Sequence, residues 1–209
     1  MDNTWTQFWD DRFRSDAYTY GEAPNAYLKG QLDKISSTGK ILFPAEGEGR
    51  NAVYAAKMGW EVSAFDISVE GKRKAMELAD NNQVHLAYQI GELPNLTLKS
   101  APFDVIALIY AHFPPQIKSM YHQILDGYLR LGGLIIFEAF SKSHVAYKQK
   151  DARVGGPMDL DMLFSIEEIL ADFTGYEVIE LAEQEVELNE GYGHIGLGSV
   201  IRFVGKKKE

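Results

Sequence analysis

A strand-like run, a glycine-containing turn and a helical pattern follow one another in residues 40–58, which read KILFPAEGEGRNAVYAAKM. The apolar run 41–45 predicts a strand, and the helix is predicted to start near Arg50. Gly47 and Gly49 lie between them, where glycine lets the backbone turn tightly and approach a ligand closely. Free N–H groups at the helix start add hydrogen-bond donors. The segment therefore predicts an α/β fold with either a ligand-binding turn or an ordinary strand-to-helix turn.

Strand-like runs alternate with helical patterns in the following residues. The next predicted strands are 61–66, 84–90, 104–110 and 134–140, and a helix is predicted over 114–131. This alternation is typical of a parallel sheet with crossover helices. The last two runs, 176–188 and 197–205, have only a short glycine-rich connection and should pair antiparallel. We therefore predict a Rossmann-like, doubly wound, mostly parallel seven-stranded sheet with a C-terminal antiparallel β-hairpin.

Composition limits the classes of function. The chain has 209 residues, no cysteine and a formal net charge of −9, which excludes disulfide frameworks, cysteine zinc sites and thiolate nucleophiles. Such a negative charge argues against a nucleic-acid surface. No apolar run approaches the ~18 residues of a membrane span, and the N-terminus lacks the features of a secretory signal. We expect one cytoplasmic domain with no nucleic-acid, membrane or metal partner; the oligomeric state is left open.

Asp66 ends the second predicted strand, 19 residues after Gly47. In a doubly wound sheet, a carboxylate at this place lies beside the glycine turn and can accept hydrogen bonds from both hydroxyls of a ribose. The alternative is that Asp66 only caps the next helix, a role for which Ser68 competes. The turn and Asp66 together indicate a cofactor that contains a nucleoside.

Two kinds of cofactor fit the turn. Residues 47–52 satisfy the pattern Gly-x-Gly-x-x-Gly/Ala, so an NAD(P)-binding oxidoreductase stays open. However, the chain has no Tyr-x-x-x-Lys pair, and a terminal hairpin is unexpected in that class. Glu46 and Glu48 would repel a pyrophosphate, and with Asp66 they suit a ligand that carries an amino group and a sulfonium.

Several motifs together carry a family resemblance. They are the Ala45–Ala52 turn, Asp66, the strand Phe103-Asp104-Val105-Ile106, Gly132-Gly133 and the terminal hairpin. In this set the chain resembles a class I S-adenosylmethionine-dependent methyltransferase. A second set points to the tellurite-resistance and thiopurine methyltransferase-like branch: Trp9-Asp10-Asp11-Arg12-Phe13, Tyr20-Gly21-Glu22-Ala23-Pro24-Asn25, Gly49-Arg50-Asn51 and Gly155-Gly156-Pro157.

The resemblance implies a cofactor, S-adenosyl-L-methionine, and residues that bind it. By position these are Glu46, Gly47, Gly49, Arg50, Asn51, Asp66, Ile67, Glu92, Leu93, Tyr110 and Ala111. The glycine turn would line the methionine part, Asp66 would hold the ribose, and Ile67 with Glu92-Leu93 would contact the adenine. Tyr110, Ala111 and His112 would face the methionine and the transferred methyl group. The chain departs from the family pattern at Phe43 and Ala45, so Glu46 would supply the missing carboxylate.

The expected reaction is methyl transfer to a small-molecule acceptor, an in-line displacement in which positioning and exclusion of water supply much of the catalysis. A soft thiol, selenium or tellurium nucleophile needs little general base. An oxygen or nitrogen nucleophile needs more, and His112 is the best-placed base, with Tyr20 as the second catalytic candidate. His144 is expected to be solvated and His194 to be structural. A cofactor-binding module without catalysis is the non-enzymatic alternative.

The single domain, 1–209, is expected to contain four parts: a helical cap over 1–36, a cofactor-binding core over 40–140, a lid loop over 141–164, and a helix with the hairpin over 165–209. The cap has an aromatic stripe on one helical face, made of Trp5, Phe8, Trp9 and Phe13. The lid is long for a loop without secondary structure. Gly155-Gly156-Pro157 would be its hinge, with Asp159 and Asp161 facing the site.

Overall fold

The computed structural model describes residues 3–98 and 102–209. The helices of these residues are α1 (Asn3–Phe13), α2 (Ala26–Leu32), α3 (Arg50–Lys57), α4 (Val69–Asn81), α5 (Lys118–Tyr128), α6 (His144–Lys150) and α7 (Ile166–Asp172). The strands are β1 (Lys40–Pro44), β2 (Glu61–Asp66), β3 (Ala87–Ile90), β4 (Phe103–Ile109), β5 (Leu129–Phe140), β6 (Tyr176–Glu190) and β7 (His194–Lys207). Within this part of the chain, no helix has both the length and the apolar character needed to cross a membrane.

The strands form one seven-stranded sheet in the order β3-β2-β1-β4-β5-β7-β6. The first five strands are parallel, whereas β7 runs antiparallel to both β5 and β6. The sequence prediction of a mostly parallel α/β sheet with antiparallel C-terminal strands is therefore confirmed.

Both faces of the sheet are covered. Ile41 and Phe43 of β1 pack into a core with α2, α3 and α4, whereas Leu42 packs on the other face with α5 and α7. All three side chains are fully buried, because successive residues of a strand point to opposite faces of the sheet. Phe43 thus packs in the core, whereas the family pattern has an acidic residue near this position.

Two predicted elements start later in the structure than the sequence indicates. β3 starts at Ala87, opposite Ser63 of β2, so Val84 and Leu86 contribute apolar packing without strand pairing. The helix predicted from 114 starts only at Lys118, after a turn in which the Pro114 carbonyl accepts hydrogen bonds from two amides.

The expectation of a structureless loop over 141–164 is wrong. The segment contains α6 and two short 3₁₀ helices, Ala152–Val154 and Leu160–Met162. Its ends pair through the Ser141–Phe164 bridge. The segment is therefore an ordered wall above the carboxyl edge of the sheet.

Candidate active site

The turn after β1 contains three residues in the left-handed backbone region, Ala45 (φ 51°), Gly47 (φ 62°) and Gly49 (φ 87°). A Cβ on Gly47 would lie 3.1 Å from Cζ of Phe13, so glycine lets the turn approach the aromatic helix α1. Ala45 adopts this region at a cost of about 1–2 kcal/mol. The turn therefore keeps the conformation that glycine favours although the first glycine of the family pattern is absent.

Gly49 has a packing role. A Cβ at this position would lie 2.6 Å from Cβ and 2.7 Å from Cα of Ala75. Gly49 thus lets the start of α3 approach α4 closely, and its backbone begins α3 as the N-cap residue. It is not among the residues that line the cavity, and its expected contact with the cofactor stays a prediction.

The cavity lies where β1, β2 and β4 end and has a volume of about 870 Å³. The predicted site residues that line it are Tyr20, Glu46, Gly47, Arg50, Asn51, Asp66, Ile67, Glu92, Leu93, Tyr110 and His112. The structure therefore brings together residues that the sequence separates by more than 90 positions, and it leaves out Gly49 and Ala111.

Glu46 faces the cavity and also caps α3. Its Oε1 accepts hydrogen bonds from the amides of Asn51 (2.9 Å) and Ala52 (2.8 Å). Burial raises the pKa of Glu46 to about 7, although these amide hydrogen bonds act in the opposite direction. The carboxylate is thus held in place by the backbone of the helix that it caps.

Asp66 connects the turn to the end of β2. Its Oδ2 accepts from the amide of Gly47 (3.0 Å) and its Oδ1 from the amide of Ser68 (2.9 Å). Burial raises its pKa to about 6. Ser68 is the N-cap of α4, since its hydroxyl accepts from Gly71. The alternative that Asp66 serves only as that cap is therefore wrong.

Glu48 does not face the cavity, contrary to the expectation that it lies beside a cationic ligand. Its Oε1 is 2.6 Å from Nζ of Lys74, and its Oε2 accepts from the amide of Thr19 at 2.8 Å. Both charged side chains of the ion pair are almost fully buried. Gly47 lies between the two glutamates, and its left-handed backbone turns the chain. Glu48 therefore enters the interface between α4 and the N-terminal segment.

Ala111 is the second predicted cofactor residue that does not line the cavity. Tyr110 has a left-handed backbone (φ 52°), which turns the chain just after β4. As a result Tyr110 lines the cavity, whereas Ala111 packs in the core on the α5 face of the sheet. A sharp turn therefore separates two neighbours that the sequence suggested would act together.

His112 lines the cavity, but both of its ring nitrogens have backbone partners. Nδ1 lies 3.0 Å from the carbonyl oxygen of Met162, and the amide of Phe140 donates to Nε2 at 3.3 Å. Burial lowers the pKa of His112 to about 3. Both ring nitrogens therefore connect His112 to the backbone of β5 and segment 141–164, and Nε2 has no free lone pair for the expected role as a base.

Glu190, at the end of β6, is the centre of a polar cluster that the sequence did not predict. Its carboxylate is 3.1 Å from Nη2 of Arg50 and 2.9 Å from Nδ1 of His194, and it accepts from Nδ2 of Asn25 at 2.9 Å. The hydrogen bonds join residues up to 165 positions apart. Asn51 extends the cluster, because its Oδ1 accepts from the amide of Asn25 at 2.9 Å. Arg50 and Asn51 thus hold the cavity wall together.

Tyr20 lies in the same wall. Its hydroxyl accepts from Nε of Arg12 at 3.1 Å, and its ring centroid is 4.5 Å from that of His194. Burial raises the pKa of Tyr20, which keeps the phenol protonated. His144, expected to be solvated, is instead fully buried and bonded to the backbone of Gly155 and Ser199.

Helix α1 and segment 141–164 form the remaining walls. Trp5, Phe8 and Trp9 line the cavity with their stacked and edge-on rings. From segment 141–164, Asp159 reaches the cavity, whereas Asp161 is exposed and does not line it. Gly155 and Gly156, the expected hinge, approach the rings of His194 and Phe140, where a Cβ would lie closer than 3 Å. The two glycines therefore allow close packing of this wall.

Two cationic side chains, Arg12 and Lys148, enter the cavity from α1 and α6. Burial and the positive charge of Arg12 lower the pKa of Lys148. Among the described residues, neither has a carboxylate within salt-bridge distance. The cavity is therefore lined by these two cationic side chains as well as by the carboxyl groups of Glu46 and Asp66.

Residues 41–133 match the family model described as a methyltransferase domain. No curated protein sequence matches the chain. Among solved structures, a protein of echinomycin biosynthesis that converts a disulfide bond into a thioacetal group has a TM-score of 0.78 at 17% identity, covering 97% of this chain and 91% of that one. TehB from Haemophilus influenzae has a TM-score of 0.70 at 16% identity, covering 97% and 67%. Magnesium protoporphyrin IX methyltransferase from Synechocystis, with bound SAH, has a TM-score of 0.67 at 14% identity, covering 99% of each chain. At such identities these likenesses show the fold.

Proposed function

Since this chain is an enzyme with a methyltransferase domain and uses S-adenosylmethionine as its cofactor, we propose that it methylates a small acceptor through a soft sulfur, selenium or tellurium atom. The predictions of the enzyme class and of the cofactor are confirmed. They rule against the two alternatives, an NAD(P)-binding oxidoreductase and a cofactor-binding module without catalysis. The observation that carries the proposal is the lining of the cavity, which combines the carboxyl groups of Glu46 and Asp66 with aromatic rings and the cationic Arg12 and Lys148.

The size of the cavity supports a small acceptor. At about 870 Å³ it lies in the upper part of the range of about 300–1,000 Å³ for small-molecule sites. Helix α1 and segment 141–164 cover it from two sides. A cofactor and a small acceptor can share such a space, whereas a polymer would need an open groove.

The carboxyl groups of the lining fit the cofactor. Glu46 and Asp66 both line the cavity, and burial raises their pKa values. A cationic ligand beside them would favour the ionised carboxylates and lower these pKa values again. We propose that Glu46 binds the amino group, that Asp66 binds the ribose hydroxyls, and that Ile67 and Leu93 contact the adenine. When bound, S-adenosylmethionine supplies a methyl group on an electron-poor sulfonium.

The aromatic and cationic side chains of the lining fit the acceptor. Tyr20, Tyr110 and Phe140 present rings to the cavity, and Arg12 and Lys148 add positive charge. Polarisable atoms and aromatic rings attract each other, and positive side chains stabilise an anionic nucleophile. The motifs shared with the tellurite-resistance and thiopurine methyltransferase-like branch support the same class of acceptor, as does the sulfur chemistry of the echinomycin protein.

A panel of acceptors tests this proposal. The wild-type protein and S-adenosylmethionine are incubated with an aromatic thiol, an alkyl selenol, tellurite, a catechol and a primary amine, and methylated products are measured by mass spectrometry. We expect product from the thiol, the selenol or tellurite, and none from the catechol and the amine. Mixtures without protein control for spontaneous methylation. Methylation of the catechol or the amine alone, or of no acceptor, would contradict the proposal.

The pH dependence of cofactor binding follows from the two raised pKa values. A proton on Glu46 or Asp66 removes the negative charge that the cationic cofactor needs, so the affinity for S-adenosylmethionine should fall as the pH drops through about 7 and then about 6. Below each pKa the fall approaches about tenfold per pH unit for each bound proton. Titration calorimetry between pH 5 and 8.5 measures it.

The matched ligand for this titration is 5′-methylthioadenosine, which has the nucleoside but lacks the amino acid part. Its affinity should respond to Asp66 alone and start to fall only near pH 6. Identical pH profiles for the two ligands would show that Glu46 does not bind the amino group.

A further inference from the structure

The hairpin between β6 and β7 places a carboxylate and an imidazole opposite each other beside the cavity. Glu190 is the last residue of β6, His194 is the first of β7, and the two are cross-strand partners. Nδ1 of His194 lies 2.9 Å from Oε2 of Glu190. We propose that Glu190 and His194 form a dyad in which Nε2 of His194 accepts the proton of a protonated soft acceptor, such as a thiol. This inference rests on the proposed function and names its proton acceptor.

Glu190 is held as a carboxylate that orients the imidazole. Burial alone would raise its pKa, but the hydrogen bond from His194 and the charge of Arg50 lower it to about 2. Its other oxygen accepts from Nδ2 of Asn25 at 2.9 Å. A carboxylate fixed in this way accepts a hydrogen bond from Nδ1–H of His194, which leaves the lone pair on Nε2.

The other ring nitrogen of His194, Nε2, is the proposed proton acceptor. His194 lines the cavity, and no hydrogen bond from the described residues reaches its Nε2. His112 and His144, in contrast, have backbone partners on both ring nitrogens. Of these three histidines, only His194 therefore has a lone pair available to a ligand.

The surroundings of His194 keep the imidazole neutral. Its ring centroid lies 4.5 Å from Tyr20, 4.7 Å from Tyr110 and 5.1 Å from Phe140. Burial and the positive charges of Arg50 and Arg12 lower its pKa, while Glu190 raises it. The net direction is downward, so the ring is in the proton-accepting form at neutral pH.

With the dyad, both the methyl transfer to a protonated acceptor and the removal of its proton are accounted for. The sulfur of the thiol forms a bond to the methyl carbon as the carbon–sulfur bond of the donor breaks, and the electron pair of that bond stays on the departing thioether sulfur. The thiol proton passes to Nε2 of His194, and water later removes it. An acceptor that is already an anion, such as tellurite or an ionised selenol, has no proton to give and does not need the dyad.

The test compares two acceptors in the variant His194→Asn, whose amide can still donate to Glu190. For a thiol that is protonated at the assay pH, kcat should fall about 10²- to 10⁴-fold, the usual contribution of a positioned base. For tellurite or an ionised selenol, kcat should change little. The rate with the thiol should also rise about tenfold per pH unit up to the pKa of the thiol, because the variant depends on the thiolate fraction.

Two controls separate this effect from damage to the fold. Affinity for S-adenosylhomocysteine and the unfolding temperature should match the wild type. His85→Asn, which changes an exposed histidine outside the cavity, should leave both rates unchanged. An equal loss of rate with both acceptors, or no loss with the thiol, would overturn the dyad.

A spectroscopic readout does not need turnover. In ¹⁵N-correlated NMR spectra of the free protein, His194 should be the neutral tautomer with the proton on Nδ1, and Glu190→Gln should disturb this signal while His85 is unaffected. A proton on Nε2 of His194 in the wild type would overturn the proposal. If no soft acceptor is methylated, the proposed function fails, and the NMR result still decides whether the dyad exists.

Discussion

Asp66→Ala should lower the affinity for S-adenosylhomocysteine at least about 100-fold at pH 7.5. The proposed contacts are two hydrogen bonds from ribose hydroxyls to a carboxylate. Each such bond contributes about 1.5–3 kcal/mol, and each 1.4 kcal/mol is about tenfold in affinity. The variant also loses the acceptor for the amides of Gly47 and Ser68, which loosens the turn beneath the cofactor.

Calorimetric titration measures the loss, with two matched variants. Asp66→Asn keeps the shape and one acceptor oxygen, so its affinity should lie between those of the wild type and Asp66→Ala. Asp80→Ala removes the same charge from an exposed position on α4 and should bind like the wild type. If Asp66→Ala unfolds at the wild-type temperature and binds with nearly wild-type affinity, Asp66 does not hold the ribose.

Gly49→Ala should cost about 2–5 kcal/mol of unfolding free energy. The left-handed backbone of this residue, at φ 87°, costs an alanine about 1–2 kcal/mol. The new Cβ would also lie 2.6 Å from Cβ of Ala75, and overpacking of this kind costs about 1–3 kcal/mol. Since domains are stable by only about 5–15 kcal/mol, this one methyl group removes a large share of the stability.

Urea unfolding measures this loss, and two further variants test its cause. Gly30→Ala lies in α2, where an added Cβ meets no atom within 4 Å, and it should stabilise the protein by about 0.5–1 kcal/mol. Adding Ala75→Gly to Gly49→Ala removes the contact with Cβ but keeps the contact with Cα of residue 75 at 2.7 Å, and glycine within α4 itself costs about 0.5–1 kcal/mol. The second substitution should therefore restore at most a part of the packing loss. Equal stability of Gly49→Ala and the wild type would show that α3 and α4 can move apart at no cost.

The strand and turn predictions succeeded where local pattern and burial agree. β2 spans the predicted 61–66 because five consecutive buried residues follow the exposed Glu61. β3 was predicted too long, because the apolar residues before Ala87 pack in the core without a pairing partner. A run of apolar residues indicates which side chains are buried. The bounds of a strand depend instead on how far an adjacent strand supplies backbone hydrogen bonds.

The predictions for the cavity succeeded for residues that directly follow strands. Glu46 after β1 and Asp66 at the end of β2 reach one edge of the sheet because parallel strands end on the same side. Glu48 and Ala111 do not line the cavity, because Glu48 lies between the left-handed Gly47 and Gly49 and Ala111 follows the left-handed Tyr110. Such turns are poorly visible in a residue pattern when the left-handed residue is not glycine, as at Tyr110.

The sequence by itself determined the order of strands and helices, the glycine turn and, through the family motifs, the enzyme class and the cofactor. Only the tertiary structure decided which of the two histidines that line the cavity, His112 or His194, has a free ring nitrogen. It also decided that Glu190, Arg50 and Asn25 meet beside His194. The reason is distance along the chain: hydrogen bonds in this cluster span up to 165 positions. Their geometry depends on the antiparallel pairing of β7 with β5 and β6, which no local pattern specifies.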